Sequence, residues 1–479
     1  MPTNHTKEEI QRAELLENAP MFDVHKWSDF PEVKLVTDAI FEEIKALRKS
    51  KQIRIKDPEK IKKHLRIFLI ELWSASKLGI NPYRSISLNK TNYHKESRYR
   101  KLFLTYNFTI GIIDDLLSLE YLELYRGFRG DKNRMSRIKA TDKLINKILD
   151  PEYGIYSIIT KDGCIAIVGS QGERKSIYLK DEKDNSLDFK DTKFTKKMKM
   201  NLVKINRKIA SARIALEIKD SQFKSLIKEI NTKKDPQKRQ INFTSTHLYR
   251  VFNNGSWKQG GRFYGGWWQG IPSQYRKYIT INHKPTEELD YSGHHIRMLY
   301  ANDNLDPPEE AYDVKGFDRE DQKTAMLIML NANDETKAAK AIAKEGIKNA
   351  KSLIKALKKR HDPIKRHFLK GVGLKLMNQD SKVAEKVMLQ MLKLGHVVLP
   401  VHDSFIVRNS ASHELETVMK EVFEEEFGRK AKLKVKKTML EDPKPKQLYD
   451  EDGAVTIDLE KLFTYHTKYY SRYLLTWGF

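Results

Sequence analysis

The chain is 479 residues long, 39% hydrophobic, and sets 89 Lys and Arg against 64 Asp and Glu, a formal net charge of +25. Its length allows roughly two to four domains with sizeable cores, and the basic excess points to a polyanionic partner, nucleic acid being the simplest. The single cysteine, Cys164, excludes an intrachain disulfide and a cysteine-built zinc site, and neither a signal-peptide run in MPTNHTKEEI nor a span-length apolar stretch is present, so a cytoplasmic protein with no membrane partner is expected.

Residues 1–60 read as an N-terminal helical region, with an amphipathic helix near Val33–Leu47. Pro58 opens a helix over Glu59–Lys77 whose apolar face is Ile61, Leu65, Phe68, Leu69 and Leu72, and a polar, Tyr- and Arg-rich loop follows over Asn81–Arg100. A helix over Phe108–Leu119 has Phe108, Ile112, Ile113, Leu116 and Leu117 on one face. Then come a strand at Tyr121–Tyr125, a polar turn at Arg126–Arg134, a return strand at Met135–Lys139 and a helix capped by Thr141. In this order the segment 61–150 resembles a winged helix-turn-helix. Its wing carries Arg126, Arg129, Lys132, Arg134 and Arg137, cations that suit contact with DNA phosphates without base readout. The alternative is a winged fold used for packing or protein contacts.

Residues 151–189 read as a small β-rich connector, with short strands in Tyr153–Val168 and at Ser176–Leu179. Residues 190–250 read as helical. The basic run Lys190–Lys204 continues as helix to about Lys233 through Leu202, Ile205, Ile209, Ile214 and Leu216, and Asp235-Pro236 ends it. Such a run is a solvated face or an arm that grips a duplex. Asn254–Pro272 is rich in Gly and aromatics around Arg262, which suits base stacking and phosphate binding as well as a packed turn.

The segment 251–445 carries the chemistry. Thr280–Asn282 and Glu287–Tyr291 read as strands about a turn at His283–Pro285, and a helix starts at Ser292 or Gly293 with Ile296, Leu299 and Tyr300 on its apolar face. Asp290 at the strand end is a helix cap or a metal ligand. Asp318–Ala332 reads as a helix largely buried through Ala325, Leu327, Ile328, Met329 and Leu330. Arg319 and Lys323 share one face and Asn331 lies slightly over two turns on, giving a basic stripe or a cradle for a triphosphate. Asp380–Leu394 reads as a helix packed through Val383, Val387, Met388 and Met391 and ended by Gly395. A strand at Val397–Val401, a tight His402-Asp403 turn and a strand at Phe405–Val407 follow. Two carboxylates on separate strands, with a cationic helix between them in sequence, suit two-metal phosphoryl transfer. Mg²⁺ takes hard oxygen ligands, a pair of ions activates a 3′-hydroxyl and stabilises the leaving pyrophosphate, and helix cations bind the leaving phosphates.

DYSGHHIR at 290–297, Arg319 with Lys323, and VHDSF at 401–405 resemble motifs A, B and C of the family A DNA polymerases and the related single-subunit phage-type RNA polymerases. GGRFYG…IP, with Arg262, is similar to the segment before motif A, and Asn378-Gln379-Asp380-Ser381 to the helix before motif C; the five occur in the family's order over about residues 255–410. The resemblance implies an α+β fold: a right-hand palm, fingers and thumb core behind the N-terminal helical region and the winged module. It makes residues 190–250 the thumb, 251–445 the palm and fingers, and the Lys-rich 333–371 part of the fingers. The stretch 446–479, with Phe463, Tyr465, Tyr469, Tyr470, Tyr473, Trp477 and Phe479, reads as an aromatic tail packed on the core. It implies two Mg²⁺, with Mn²⁺ as a substitute, held by Asp290, Asp403 and the Tyr291 carbonyl. Arg319 and Lys323 would hold the triphosphate, Lys323 protonating the pyrophosphate, and Arg262, Gln379, His402 and Arg297 would meet primer and template. The implied partners are DNA template, primer, nucleoside triphosphates and other replication proteins, in a bacterial, phage or mobile-element setting.

The departures concern the sugar. His295 stands where the family's DNA polymerases carry a Glu that excludes ribonucleotides, and Asn331-Ala332 stands for the usual Tyr-Gly. Ser404 follows the motif C aspartate as in the RNA polymerases, where DNA polymerases carry Glu. His295 and Asn331 are therefore the expected sugar-facing residues. DNA synthesis is favoured on motif A, with a primase or RNA polymerase as the alternative, and a non-catalytic DNA-binding replication protein with a degenerate palm as the alternative of another class.

Overall fold

The computed structural model describes residues 6–24, 31–78, 81–93, 104–127, 135–148, 150, 152, 176–212, 214–232, 241, 245–282, 284–436, 448–449 and 455–456. They form a mixed α+β structure with several sheets. The chain divides into two compact units, one of residues 1–174, 217–245 and 443–479, the other of 175–216 and 246–442.

The first unit runs α1 (Lys7–Glu17), α2 (Pro31–Ser50), α3 (Pro58–Leu78), β1 (Arg84–Ile86), α4 (Tyr106–Ser118), β2 (Leu122–Tyr125), β3 (Ser136–Ala140) and α5 (Asp142–Ile148). One core joins Val36, Ile40 and Ile44 of α2, the whole expected face of α3, and Ile112, Ile113 and Leu116 of α4. Thr141 Oγ1 caps α5 by accepting from Leu144 N at 3.3 Å. The hairpin β2–β3 gains a third strand, β1, antiparallel to β3. This corrects the expected loop at Asn81–Arg100. Arg84 buries because its Nε donates to Glu71 Oε1 at 2.6 Å, which offsets the cost of taking a cation out of water.

In the wing, Arg126 is exposed, while Arg129, Lys132 and Arg134 lie outside the described residues. Arg137 is half-buried; its Nε donates to Leu16 O at 2.8 Å and its guanidinium also meets Met135 O, which fastens α1 to the sheet. Helix α4 carries no Lys or Arg, and its Asp115 takes Arg48 of α2 at 2.7 Å, which makes it a packing helix.

The second unit begins with β4 (Ile177–Lys180), β5 (Ser186–Leu187), α6 (Lys193–Ala210) and β6 (Ile214–Leu216). The chain then gives α7 (Asp220–Asn231) to the first unit. It returns with β7 (Tyr249–Phe252), β8 (Gly260–Tyr264), α8 (Ser273–Arg276), β9 (Ile279–Ile281), β10 (Lys284–Tyr291) and α9 (His294–Asn302). The remainder is α10 (Arg319–Asn331), α11 (Glu335–Lys344), α12 (Ala350–Arg360), α13 (Gly373–Lys393), β11 (Leu399–Val401), β12 (Ser404–Arg408), α14 (Ser412–Phe427) and β13 (Leu433–Lys436). One sheet has the order β5-β4-β7-β8, with β4 and β7 parallel; the other has β11-β12-β10-β9-β6, with β13 also on β10.

Three expectations change here. The helix from Lys190 to about Lys233 is broken: Ser211 caps α6, and Ile214 and Leu216 form β6, pairing with Ile281 and Ile279 of β9. Apolar residues alternating with Ala215 suit a strand face as well as a helix stripe, and the open edge of β9 decides. Residues 190–250 are accordingly not one body, since 217–245 belong to the first unit. Helix α13 starts at Gly373 rather than Asp380. The polar Asn378 and Asp380 resemble a cap, yet both are buried mid-helix; Asn378 Nδ2 lies 3.1 Å from Trp257 O and 3.2 Å from Gly260 O. On α10, Leu327 is 51% exposed and Ile328 half-buried, so the buried face is narrower than expected. The strands expected in Tyr153–Val168 lie outside the described residues, as does the aromatic tail save for the paired strands β14 (Leu448–Tyr449) and β15 (Val455–Thr456). No described helix is long and apolar enough to cross a membrane.

Candidate active site

Strands β10 and β12 set the site. Leu289 and Tyr291 of β10 are buried, and β12 is apolar and buried from Phe405 to Val407. Their antiparallel register puts Asp290 opposite Ser404, and Tyr291 N lies 3.5 Å from Asp403 O. Asp290 and Asp403 are thereby brought to the same end of neighbouring strands. The β11–β12 hairpin turns through His402 at φ 60°, the left-handed backbone that a two-residue hairpin loop demands. Beyond Tyr291 the chain enters α9 through Gly293 at φ 64°, where a Cβ would stand 2.9 Å from the Ala311 Cβ. Glycine is needed there, and the sharp strand-to-helix step leaves Asp290 at the corner.

Beneath the aspartates lies a buried ion pair. Glu288 is two residues before Asp290 and so on the same face of β10. Arg276 grips it with two bonds of 2.9 Å, and Ser404 Oγ donates to its Oε1 at 2.8 Å.

A second buried cluster joins β8, α9 and α13. Arg262 Nε donates to Asp380 Oδ2 at 2.7 Å, and its Nη2 lies 3.2 Å from His295 Nε2. His294 Nε2 is 3.3 Å from Asp380 Oδ1, and its ring stacks on Tyr291 at 4.5 Å. Burial alone would raise the Asp380 carboxyl; Arg262 and His294 outweigh it and hold the group well below the usual carboxylate range. Burial pushes His295 down to about 4, with the Asp380 charge opposing and Arg262 adding to it, so the ring is neutral at pH 7. Strand β8 can rest on α13 because Gly261, at φ 92°, has no side chain; a Cβ would stand 2.7 Å from the Phe252 ring and 3.0 Å from Ser381 Oγ.

Tyr312, in the loop before α10, feels the charges of both the aspartates and the cationic helix. Its phenol is pushed up to about 12, by burial first and then by the charges of Asp403 and Asp290, and the Arg319 guanidinium stands 5.7 Å from its ring. Arg319 also meets Glu310 at 3.7 Å, and Lys323 meets Glu320 at 2.5 Å on the partly exposed face of α10.

The other expected residues have separate surroundings. Asn331 Nδ2 donates to Leu327 O within α10, and its Oδ1 lies where a Cβ on Gly373 would be, 2.0 Å from it. Gln379 and Asn302 exchange amide hydrogen bonds of 3.1 Å. The ring of His402 is 6.1 Å from that of Tyr264. Arg297 is buried, and its Nε donates to Ser292 O at 3.0 Å while Nη2 donates to Glu309 O at 2.8 Å. These bonds tie it to the loop after α9. Arg262 is likewise committed to Asp380 before any nucleic acid is considered.

Sequence reasoning passed over Asp380, Glu288, Arg276 and Tyr312. Asp380 carried a signal: with Leu376, Val383, Ala384 and Val387 it falls on one helical face that is otherwise apolar, and a carboxylate there must find a cation.

The donor set at Asp290 and Asp403 is hard oxygen. Among the described residues no group of three or more His, Cys, Asp or Glu gathers as a metal site. Mg²⁺ needs no such cage, since it is commonly held by one or two carboxylates with water and substrate phosphates, so the pair fits that ion. No protein-family model matches the chain, and no curated protein sequence matches it.

Proposed function

We propose that the chain is a template-directed nucleotidyltransferase that extends a 3′-hydroxyl, with deoxynucleotides the favoured substrates. The observation that carries this reading is the pairing of Asp290 with Ser404, which sets Asp290 beside Asp403 at one end of adjacent strands. The +25 charge and the motif order support it.

On this reading Asp290 and Asp403 hold two Mg²⁺, with the Tyr291 carbonyl as a further oxygen donor. Bound there, the ions would acidify the primer 3′-hydroxyl and neutralise charge on the leaving pyrophosphate. Arg319 and Lys323 clasp the triphosphate along α10, and Lys323 gives its proton to the departing pyrophosphate. Tyr312, with its phenol proton retained, offers a further donor beside Arg319. Arg126 contributes non-specific affinity for DNA phosphates.

Primer synthesis or RNA synthesis is the second reading, favoured by Ser404 in the place of a carboxylate. The test is extension of a labelled primer, and of template alone, with dNTPs and NTPs supplied separately. Mg²⁺-dependent extension of the primer by dNTPs is expected, and Asp403→Asn is expected to abolish it while template binding persists. Products made only from NTPs and without primer would select the second reading. Extension by Asp403→Asn at the wild-type rate would sink both.

A further inference from the structure

Asp380 is fully enclosed, two residues C-terminal to Asn378 on α13, and takes no part in the chemistry proposed above. It faces two cationic or polar groups at once: Arg262 of β8 through Oδ2 and His294 of α9 through Oδ1. The arginine is held by its Nε, and the neighbouring Nη2 then reaches His295 Nε2 at 3.2 Å. A guanidinium has donors and no acceptor, so the nitrogen facing it must offer a lone pair. The proton of the neutral ring is thereby confined to Nδ1. Among the described residues Nδ1 of His295 has no hydrogen-bond partner, and it is the nitrogen left to meet a ligand.

We propose that Asp380 is a positioning residue for sugar choice: through Arg262 it fixes the orientation and the Nδ1–H tautomer of His295. The site then presents a hydrogen-bond donor on a locked ring where an acceptor carboxylate would otherwise stand. This rests on the polymerase reading for what His295 meets, and on the Asp380–Arg262–His295 geometry for how it is held. A lysine in place of Arg262 could keep the charge beside Asp380, but a point ammonium lacks the second, rigidly placed N–H that engages the imidazole.

Two measurements on the full chain test it. In protein labelled with ¹³C,¹⁵N-histidine, the His295 signals are identified by their loss in His295→Gln. The expected wild-type pattern is a protonated Nδ1 and an acceptor Nε2. Arg262→Lys and Asp380→Asn should lose that pattern, and Asp403→Asn should keep it. The second measurement is the ratio of dNTP to NTP incorporation, which should move towards one by about tenfold in both variants, the worth of one hydrogen bond between neutral groups. Should Asp380→Asn fail to fold, Arg262→Lys carries both arms. A wild-type His295 protonated on Nε2, or an altered tautomer with an unchanged sugar ratio, overturns the inference alone. Absence of any incorporation by the wild-type chain overturns the polymerase reading, and the sugar role with it, whatever the tautomer.

Discussion

Ser404 Oγ donates to Glu288 Oε1 at 2.8 Å, so the residue after one candidate metal ligand is tied to the residue two before the other. Glu288 is also gripped by Arg276, with side-chain exposures of 12% for the arginine and 7% for the carboxylate. Removing one charge leaves the other buried and unpaired. Glu288→Gln should therefore cost about 3–5 kcal/mol, read as a lower urea midpoint. The pair Arg276→Met with Glu288→Leu should recover most of that loss, because an apolar pair of similar volume avoids the desolvation penalty. A double variant no more stable than Glu288→Gln would show that the ion pair itself, and not the stranded charge, carries the stability.

Lys323 is expected to act on substrate and not on stability. Its contact with Glu320 spans a single helix turn at the surface, and such pairs contribute under about 1 kcal/mol. Lys323→Ala should leave the melting temperature nearly unchanged and raise the KM for nucleotide by roughly tenfold or more, the worth of a charge-assisted phosphate contact. Glu320→Gln, which frees the ammonium, should not raise KM. A KM for Lys323→Ala equal to the wild type would remove α10 from the triphosphate site.

Gly261 is a steric contact point between β8 and α13. Gly261→Ala meets the left-handed backbone and the Phe252 ring together, and should cost roughly 1–3 kcal/mol. Because β8 carries Arg262, the same variant should also perturb the His295 signals. Stability within about 0.5 kcal/mol of the wild type would mean that the strand relaxes away at no cost.

His64 gives the first unit a defined acid response. Its Nδ1 lies 2.7 Å from Lys60 O, its Nε2 accepts from Thr105 N at 3.2 Å, and its ring stacks on Phe108. Burial pushes the imidazole from its ordinary 6.5 down to about 4. The folded ring stays neutral over a range in which the unfolded chain takes up a proton. Stability from this group is intact above pH 6.5 and is lost as pH falls towards about 4, by roughly 2–3 kcal/mol. Thermal melts of the wild type and of His64→Gln at pH 7.5 and pH 4.5 should show a smaller acid loss in the variant. Equal losses would assign the acid sensitivity to other groups.

Much of the fold could be read from apolar spacing. The α3 face from Ile61 to Leu72 and the β11–β12 hairpin are continuous apolar patterns with a single way to bury. Charged residues are the least legible positions: Arg84, Arg250 and Asp380 are all buried, each against a partner. Two of these pairings join distant parts of the chain: Arg250 meets Glu385, and Arg262 meets Asp380 across 118 positions. Spacing along a sequence carries no information about such pairings. The positions of Asp290 and Asp403 at strand ends were legible, the first from Leu289 and Tyr291 flanking it and the second from the apolar β11–β12 hairpin around its turn. Tyr312 was not, since it sits in an irregular loop and gains its character from burial first and then from charges contributed by β10 and the β11–β12 turn.

The division of the chain has a consequence for how the molecule can be made and cut. The polypeptide passes between its units at residues 174–175, 216–217, 245–246 and 442–443. No single truncation or proteolytic nick can release either unit whole. During synthesis α6 and β6 emerge before α7, so the second unit has begun before the first has all its helices. Isolating either body calls for excising and rejoining segments, and a stop codon at any position between 175 and 442 leaves both incomplete.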